Sequence, residues 1–287
     1  MTVSRVVLVL LCAACAWAGT VSFDFEPPLY TGSSAGSGGT PLAGQNGWYV
    51  YPSSVDGEVL TYLGAGIPTP PNGGTQFVAM IGPNARDAHT VDFSSASTWS
   101  IAFDVLAHNL TQSYANPAGA FVLFQSTPDV TEFSAEEDWD GSSGNWSMVF
   151  NVYGSGGGSI LNGQLAGAAF QGLSQDHWYQ EQFVFDTASN RILSVSITDP
   201  GNFSASYSPA GWYLSGGASA AFNANALRLV GRGSADSPAA MGFDDIVIQA
   251  VPEPATCTLL LPGIVALCWL RRRRESATIR HRSSTSA

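Results

Sequence analysis

The sequence predicts an all-β fold, a two-sheet jelly-roll sandwich, with an export-type leader before it and a short apolar membrane helix after it. Three observations predict this. Apolar and polar residues alternate with period two in short runs across residues 19–250, bounded by Gly, Pro, Ser and Asn. No segment carries a capped stripe of 3.6-residue period. All four cysteines and seven of the eleven arginines fall in the two terminal segments, outside the alternating stretch.

The opening residues, MTVSRVVLVLLCAACAWAGT, put Arg5 before an apolar run from Val6 to Leu11, then Ala16-Trp17-Ala18. Small residues at Ala16 and Ala18 are what a signal peptidase reads, so residues 1–18 are expected to be a signal peptide cut after Ala18. A retained anchor competes with this reading, but the apolar run is short. A lipoprotein site at Cys15 also competes, but Cys12 stands where Leu is usual.

Within the body, TWSIAFDVL places Trp99, Ile101, Phe103 and Val105 on one face, opposite Ser100, Ala102 and Asp104. NWSMVFNVY repeats the pattern with Trp146, Met148, Phe150 and Val152. RILSVSIT places Leu193, Val195 and Ile197 together, and GFDDIVIQ places Asp244, Ile246 and Ile248 together. Further strands are expected at 21–26, 48–52, 58–63, 75–81, 119–125, 178–186 and 226–231, making about eleven in one domain. YGSGGGS, from Tyr153 to Ser159, is expected to be a hairpin loop, since strand signals continue on both sides.

Composition narrows the function. The chain has 287 residues, no lysine, and only 11% charged residues. Between Thr20 and Ala250, four Arg face twenty Asp and Glu, a net charge of −16. Such a surface argues against nucleic acid and anionic surfaces as partners. With no cysteine in the body, a disulfide framework, a thiolate metal site and a cysteine nucleophile are excluded there.

Candidate chemistry is sparse. His89, His108 and His177 are not at metal-ligand spacing, and no G-x-S-x-G elbow occurs. EEDWDGSSG, Glu136 to Gly144, lacks a third acid for a glycosidase strand motif, and its Gly141-Ser142-Ser143-Gly144 reads as loop, so no catalytic residue is assigned. Asp138-x-Asp140-Gly141 starts like an EF-hand, but its twelfth position is Val149. A looser oxygen cage from Asp129, Glu132, Glu136 and Glu137 remains an option. FDFEPP opens the domain and GFDDIVI closes it. In many carbohydrate-binding sandwiches the first and last strands are neighbours, and a carboxylate from each holds a structural calcium. Glu26 with Asp244 or Asp245 is the expected pair, against the alternative that these acids cap strand ends and face water. Trp48, Tyr49, Tyr51, Trp139, Trp212 and Tyr213 lie near predicted edges where an exposed ring could stack on a sugar. Trp99 and Trp146 are expected in the core.

After Val251 come Pro252-Glu253-Pro254, an apolar segment from Ala255 to Leu270 interrupted by Pro262-Gly263, and Arg271, Arg272, Arg273 and Arg274. As helix the apolar part spans roughly 24 Å, short of the ~30 Å hydrocarbon core. The arginine block is expected to stay cytoplasmic by the positive-inside rule. Residues 251–274 thus hold a motif, a short span and a basic stop in order, and 275–287 form a cytoplasmic tail. This arrangement closely resembles the PEP-CTERM sorting signal of Gram-negative bacteria. The resemblance implies an exosortase, a membrane cysteine transpeptidase, that cuts near Pro-Glu-Pro and passes the domain from a transient inner-membrane anchor to the cell surface or to exopolysaccharide. A plain single-pass anchor is the competing reading. The body more loosely resembles concanavalin A-like lectin sandwiches, through GFDDIVI and HWYQEQFVFDTASNRILSVSITD. The expected work is non-catalytic association with extracellular polysaccharide or biofilm matrix. A secreted carbohydrate-active enzyme of the same fold and a purely structural envelope protein are the alternatives.

Overall fold

The computed structural model of the chain describes residues 19–33, 39–82, 84–108, 118–139, 144–158, 160–231 and 240–252. In chain order the strands are β1 (Thr20–Phe23), β2 (Thr40–Pro41), β3 (Tyr49–Val50), β4 (Glu58–Thr61), β5 (Gln76–Ile81), β6 (Ala85–Thr90), β7 (Thr98–His108), β8 (Gly119–Ser126) and β9 (Asp129–Trp139). They continue with β10 (Asn145–Tyr153), β11 (Ile160–Gln164), β12 (Leu173–Ser174), β13 (Tyr179–Asp186), β14 (Arg191–Asp199), β15 (Phe203–Tyr207), β16 (Ala226–Gly231) and β17 (Ala240–Ala250). A single helical turn, α1 (Tyr62–Ala65), follows β4; Thr61 caps it, its Oγ1 accepting from the Gly64 N–H at 3.3 Å.

These strands form two antiparallel sheets. The first runs β15-β14-β13-β7-β17-β5-β4-β2, with β1 also on β17; the second runs β11-β10-β9-β8-β16-β6-β3, with β12 also on β10. The two ends of the body meet, because β1 pairs with β17 from Thr20 opposite Gln249 to Phe23 opposite Ile246. The glycine-rich stretch after Tyr153 joins β10 to β11 as a hairpin, as expected, with Tyr153 opposite Ile160.

Alternation sends one side chain in two between the sheets, and aromatic rings fill the gap. Phe103 of β7 stacks on Phe121 of β8 with centroids 4.7 Å apart, and Phe133 of β9 meets Phe183 of β13 at 4.5 Å. Each pair joins opposite sheets, so each contact removes apolar area of both sheets from water. Trp99, Ile101, Phe103 and Val105 all lie in this core, as do Trp146, Met148, Phe150 and Val152.

Two expected faces are corrected by bulges. On β14 the register against β13 slips between Val184 and Phe185, so Ile192 is buried with Val195 and Ile197 while Leu193 is 36% exposed. On β17 the register against β7 slips between Asp244 and Val247, and Asp245 adopts φ 46°. Met241 and Phe243 therefore enter the core before the bulge and Ile246 and Ile248 after it. Asp244 is left on the opposite face, not beside Ile246 and Ile248. Strands β2, β6, β9, β11, β12 and β15 were not anticipated. In β9 the acid-rich text hides a period-two run, because Glu137 occupies an inward position between Ala135 and Trp139.

Candidate functional site

Ala16 and Ala18 of the expected cleavage site lie outside the described residues, as do Glu253, Pro254, the apolar segment and Arg271–Arg274. Of the sorting motif only Pro252 is described, and it is exposed. Among the described residues no helix is long and apolar enough to cross a membrane.

Glu26, Asp244 and Asp245 belong to an acidic cluster on the outer face of the first sheet. Tyr62, at the start of α1, stacks on Phe77 with centroids 5.1 Å apart and donates its hydroxyl to Asp244 Oδ2. The backbone N–H of Asp245 donates to Asp244 Oδ1 at 2.9 Å. Asp104 lies directly across the β7–β17 pair from Asp244 and accepts from Asn72 Nδ2 at 3.1 Å. Burial pushes the Asp244 carboxyl up to about 9, and the neighbouring Asp245 and Asp104 add to it. Burial, then repulsion from Asp245, pushes Asp104 up to about 7. Burial also raises Asp245, with Asp24 and Glu26 repelling its charge. Sequence reading missed Tyr62, Asn72 and Asp104, although the polar-face position of Asp104 in IAFDVL was a usable signal.

This arrangement does not fit a calcium held by Glu26 with Asp244 or Asp245. The Glu26 carboxylate is turned to donors instead: it accepts from the Thr75 and Gln76 backbone N–H groups and from Thr75 Oγ1, the last two at 2.9 and 2.6 Å. It caps the entry to β5, whereas Asp244 is buried and does not face water. Among the described residues no group of three His, Cys, Asp or Glu side chains is placed to hold a metal ion. The looser cage dissolves for a different reason. Asp129, Glu132, Glu136 and Glu137 lie along the single strand β9, and alternation turns neighbours to opposite faces.

Glu137 on the second sheet and Glu181 on the first both reach into the core, where they are 0% and 3% exposed. Neither oxygen of Glu137 has a hydrogen-bond partner, and Oε1 of Glu181 has none. Burial pushes both carboxyls well up, and the Glu181 charge adds to the effect on Glu137. Gly119 makes room for this: a Cβ there would lie 2.2 Å from Met241 Cγ and 2.9 Å from Glu137 Oε2.

The expected sugar-stacking rings divide. Trp48 and Trp212 are buried, and Trp139 packs against the core. Tyr49 and Tyr51 sit instead on the outer face of the second sheet, over a floor of Ala88, Ala120, Val122, Phe124, Ala226 and Val230. The histidines bond locally: His108 to Asp176, His177 to Asp199 at 2.9 Å, and His89 to the Asn46 and Thr90 carbonyls.

No curated protein matches this sequence. Among solved structures, the chain is similar to a carbohydrate esterase from the Shiga toxin-encoding bacteriophage phi24B, at TM-score 0.47 and 14% identity over 81% of this chain and 99% of that one. It is similar to lectin II from Ulex europaeus at TM-score 0.45 and 8% identity, over 80% and 97%. It is similar to the exoplasmic domain of VIP36, bound to Ca2+ and Man3GlcNAc, at TM-score 0.40 and 10% identity, over 71% and 85%. The family model that matches describes the PEP-CTERM protein-sorting motif, over residues 250–274. Directly behind the last strand, β17, the chain thus carries a PEP-CTERM protein-sorting motif, which implies an exported protein sorted by an exosortase.

Proposed function

We propose that this protein is exported with removal of residues 1–18, held briefly in the inner membrane by its tail, and released near Pro252-Glu253-Pro254 to the cell surface. There the β-sandwich acts without catalysis, binding extracellular polysaccharide of the matrix. The observation that carries the reading is the sorting motif at 250–274 joined directly to a folded two-sheet body. Two features of the body support binding over catalysis. The strongly perturbed carboxyls, Glu137 with Glu181, Asp104 with Asp244, and Asp87 and Glu132, are all buried against protein rather than facing each other across an open cleft. The half-buried Tyr49 and Tyr51 share a sheet face with small residues, a surface on which a sugar ring can lie.

The test is the intact mass of the protein recovered from washed cell surface and matrix. The expected species starts at Gly19 and ends within Val251–Ala255, and it stays with the polysaccharide fraction. Glu253→Ala is expected to leave the chain unprocessed. A wild-type species running through Ala287 refutes the sorting step, and a processed species found only in polysaccharide-free medium refutes the binding step.

A further inference from the structure

The body has four arginines against twenty acids, yet two of the four, Arg86 and Arg228, line one cleft on the outer face of the second sheet. The cleft holds about 120 Å³. Its floor is Ala120, Val122 and Val230, small residues at outward positions of β8 and β16. The far wall is Ser134 and Glu136 of β9 with Asn151 of β10.

Arg228 is 7% exposed, in the middle of β16 between β8 and β6. Its guanidinium lies 4.5 Å from the Tyr51 ring centroid and 4.7 Å from that of Phe124, so two rings fix its plane. Asp129 Oδ1 approaches Nη1 only to 3.6 Å. Nε and Nη1 are both buried and make no hydrogen bond. A guanidinium keeps its charge and its five donors under all ordinary conditions. Leaving two donors buried and unfilled costs free energy that a bound anion would recover. The rings have already ordered the side chain, so little entropy is lost when that anion arrives.

The opposite wall limits which anion fits. Glu136, accepting from the Ser134 hydroxyl at 3.0 Å, and Asp129 set two carboxylates against the two arginines. A sugar ring carrying more than one negative group would be repelled, whereas a ring with one negative group and several hydroxyls can turn each end to its match. About 10 Å of sheet separates β16 from β9 across β8, a width suited to one pyranose with hydrogen bonds at both ends. The apolar floor suits the C–H face of such a ring.

We infer that this cleft binds a hexuronate unit of an acidic polysaccharide, its carboxylate on Arg228 and Arg86 and its hydroxyls toward Ser134, Glu136 and Asn151. The inference rests on the polysaccharide-binding reading above and names the sugar class.

Calorimetry on the purified full chain in detergent tests it. The probes are oligogalacturonate, oligomannuronate and oligoglucuronate, their methyl esters, and neutral cello-oligosaccharide. At least one free-acid oligomer is expected to bind, and its ester at least tenfold more weakly. Arg228→Gln and Arg86→Gln are each expected to weaken acid binding at least tenfold. Because Arg228 is also packed on two rings, the Arg86→Gln variant decides the matter if Arg228→Gln melts early. Equal binding of acid and ester, or an unaltered affinity in folded Arg86→Gln, overturns the inference. Binding of the neutral oligomer alone overturns it while leaving the polysaccharide reading intact; silence with every oligomer defeats both.

Discussion

Replacing Asp244 by Asn should make the sandwich less sensitive to rising pH, and the size of the change follows from the site. In the unfolded chain this carboxyl has its ordinary value near 3.8 and is ionised at pH 5 and above. In the folded protein, burial holds it at about 9, so it stays protonated. Folding therefore takes up a proton throughout the interval between those values. A carboxyl raised in the folded state contributes its stability fully below about pH 4 and loses it as pH climbs toward 9. Each pH unit costs about 1.4 kcal/mol, so the step from pH 5 to pH 7 costs about 3 kcal/mol for this group alone. Asparagine has no proton to take up. Its amide can keep both contacts, with Oδ1 accepting from the Asp245 N–H and the NH2 group donating to the Tyr62 hydroxyl oxygen. Below pH 7 Asp244 is neutral when folded, so removing it leaves the charge felt by Asp104 nearly unchanged. The other buried acids titrate alike in both proteins, and the difference between them isolates Asp244. Urea melts followed by tryptophan fluorescence at pH 5, 6 and 7 should show the variant gaining about 3 kcal/mol on wild type across the range. In heat this is roughly 6–12 °C for a domain of this size. A wild-type-to-variant gap that is the same at pH 5 and pH 7 would show that Asp244 is ionised in the folded state, and the reasoning would fail.

Two further outcomes follow from the same chemistry. Glu181→Gln removes one of two carboxyls buried inside the core; it should raise the melting temperature at pH 8 by several degrees and change it much less at pH 5, close to the ordinary value of 4.5 at which the unfolded carboxyls take up their protons. The opposite order, a larger gain at pH 5, would contradict a burial-raised pair. Since Glu26 and Asp244 already accept from protein donors, melting in millimolar calcium and in chelator should agree within about 1 °C, whereas tight calcium binding would shift it by mass action.

How much was legible in the sequence depended on the range of the interaction involved. The Trp99–Val105 and Trp146–Val152 faces could be read because strand alternation is local and a regular strand preserves it. The same rule failed at Leu193 and Asp244, where one extra residue in a bulge reverses the parity, and neither sequence marks the slip. It also missed β9, where Glu137 sits at a core position that composition assigns to an apolar residue. The tail was legible as a unit, since motif, apolar length and basic stop are all contiguous in the chain.

The sequence by itself determined the fold class, the cysteine-free acidic body, the meeting of the first and last strands as an expectation, and the sorting motif. These depend on residue type, period and order along the chain. Only the tertiary structure decided that Glu26 caps β5, that Asp104 and Asp244 face each other under Tyr62, and that Glu137 and Glu181 share the core. Only it decided that two of the four body arginines, far apart in sequence, line one cleft. Such groupings arise from register between strands dozens to hundreds of residues apart, and the energy of a buried charge depends on what surrounds it rather than on which residues precede and follow it.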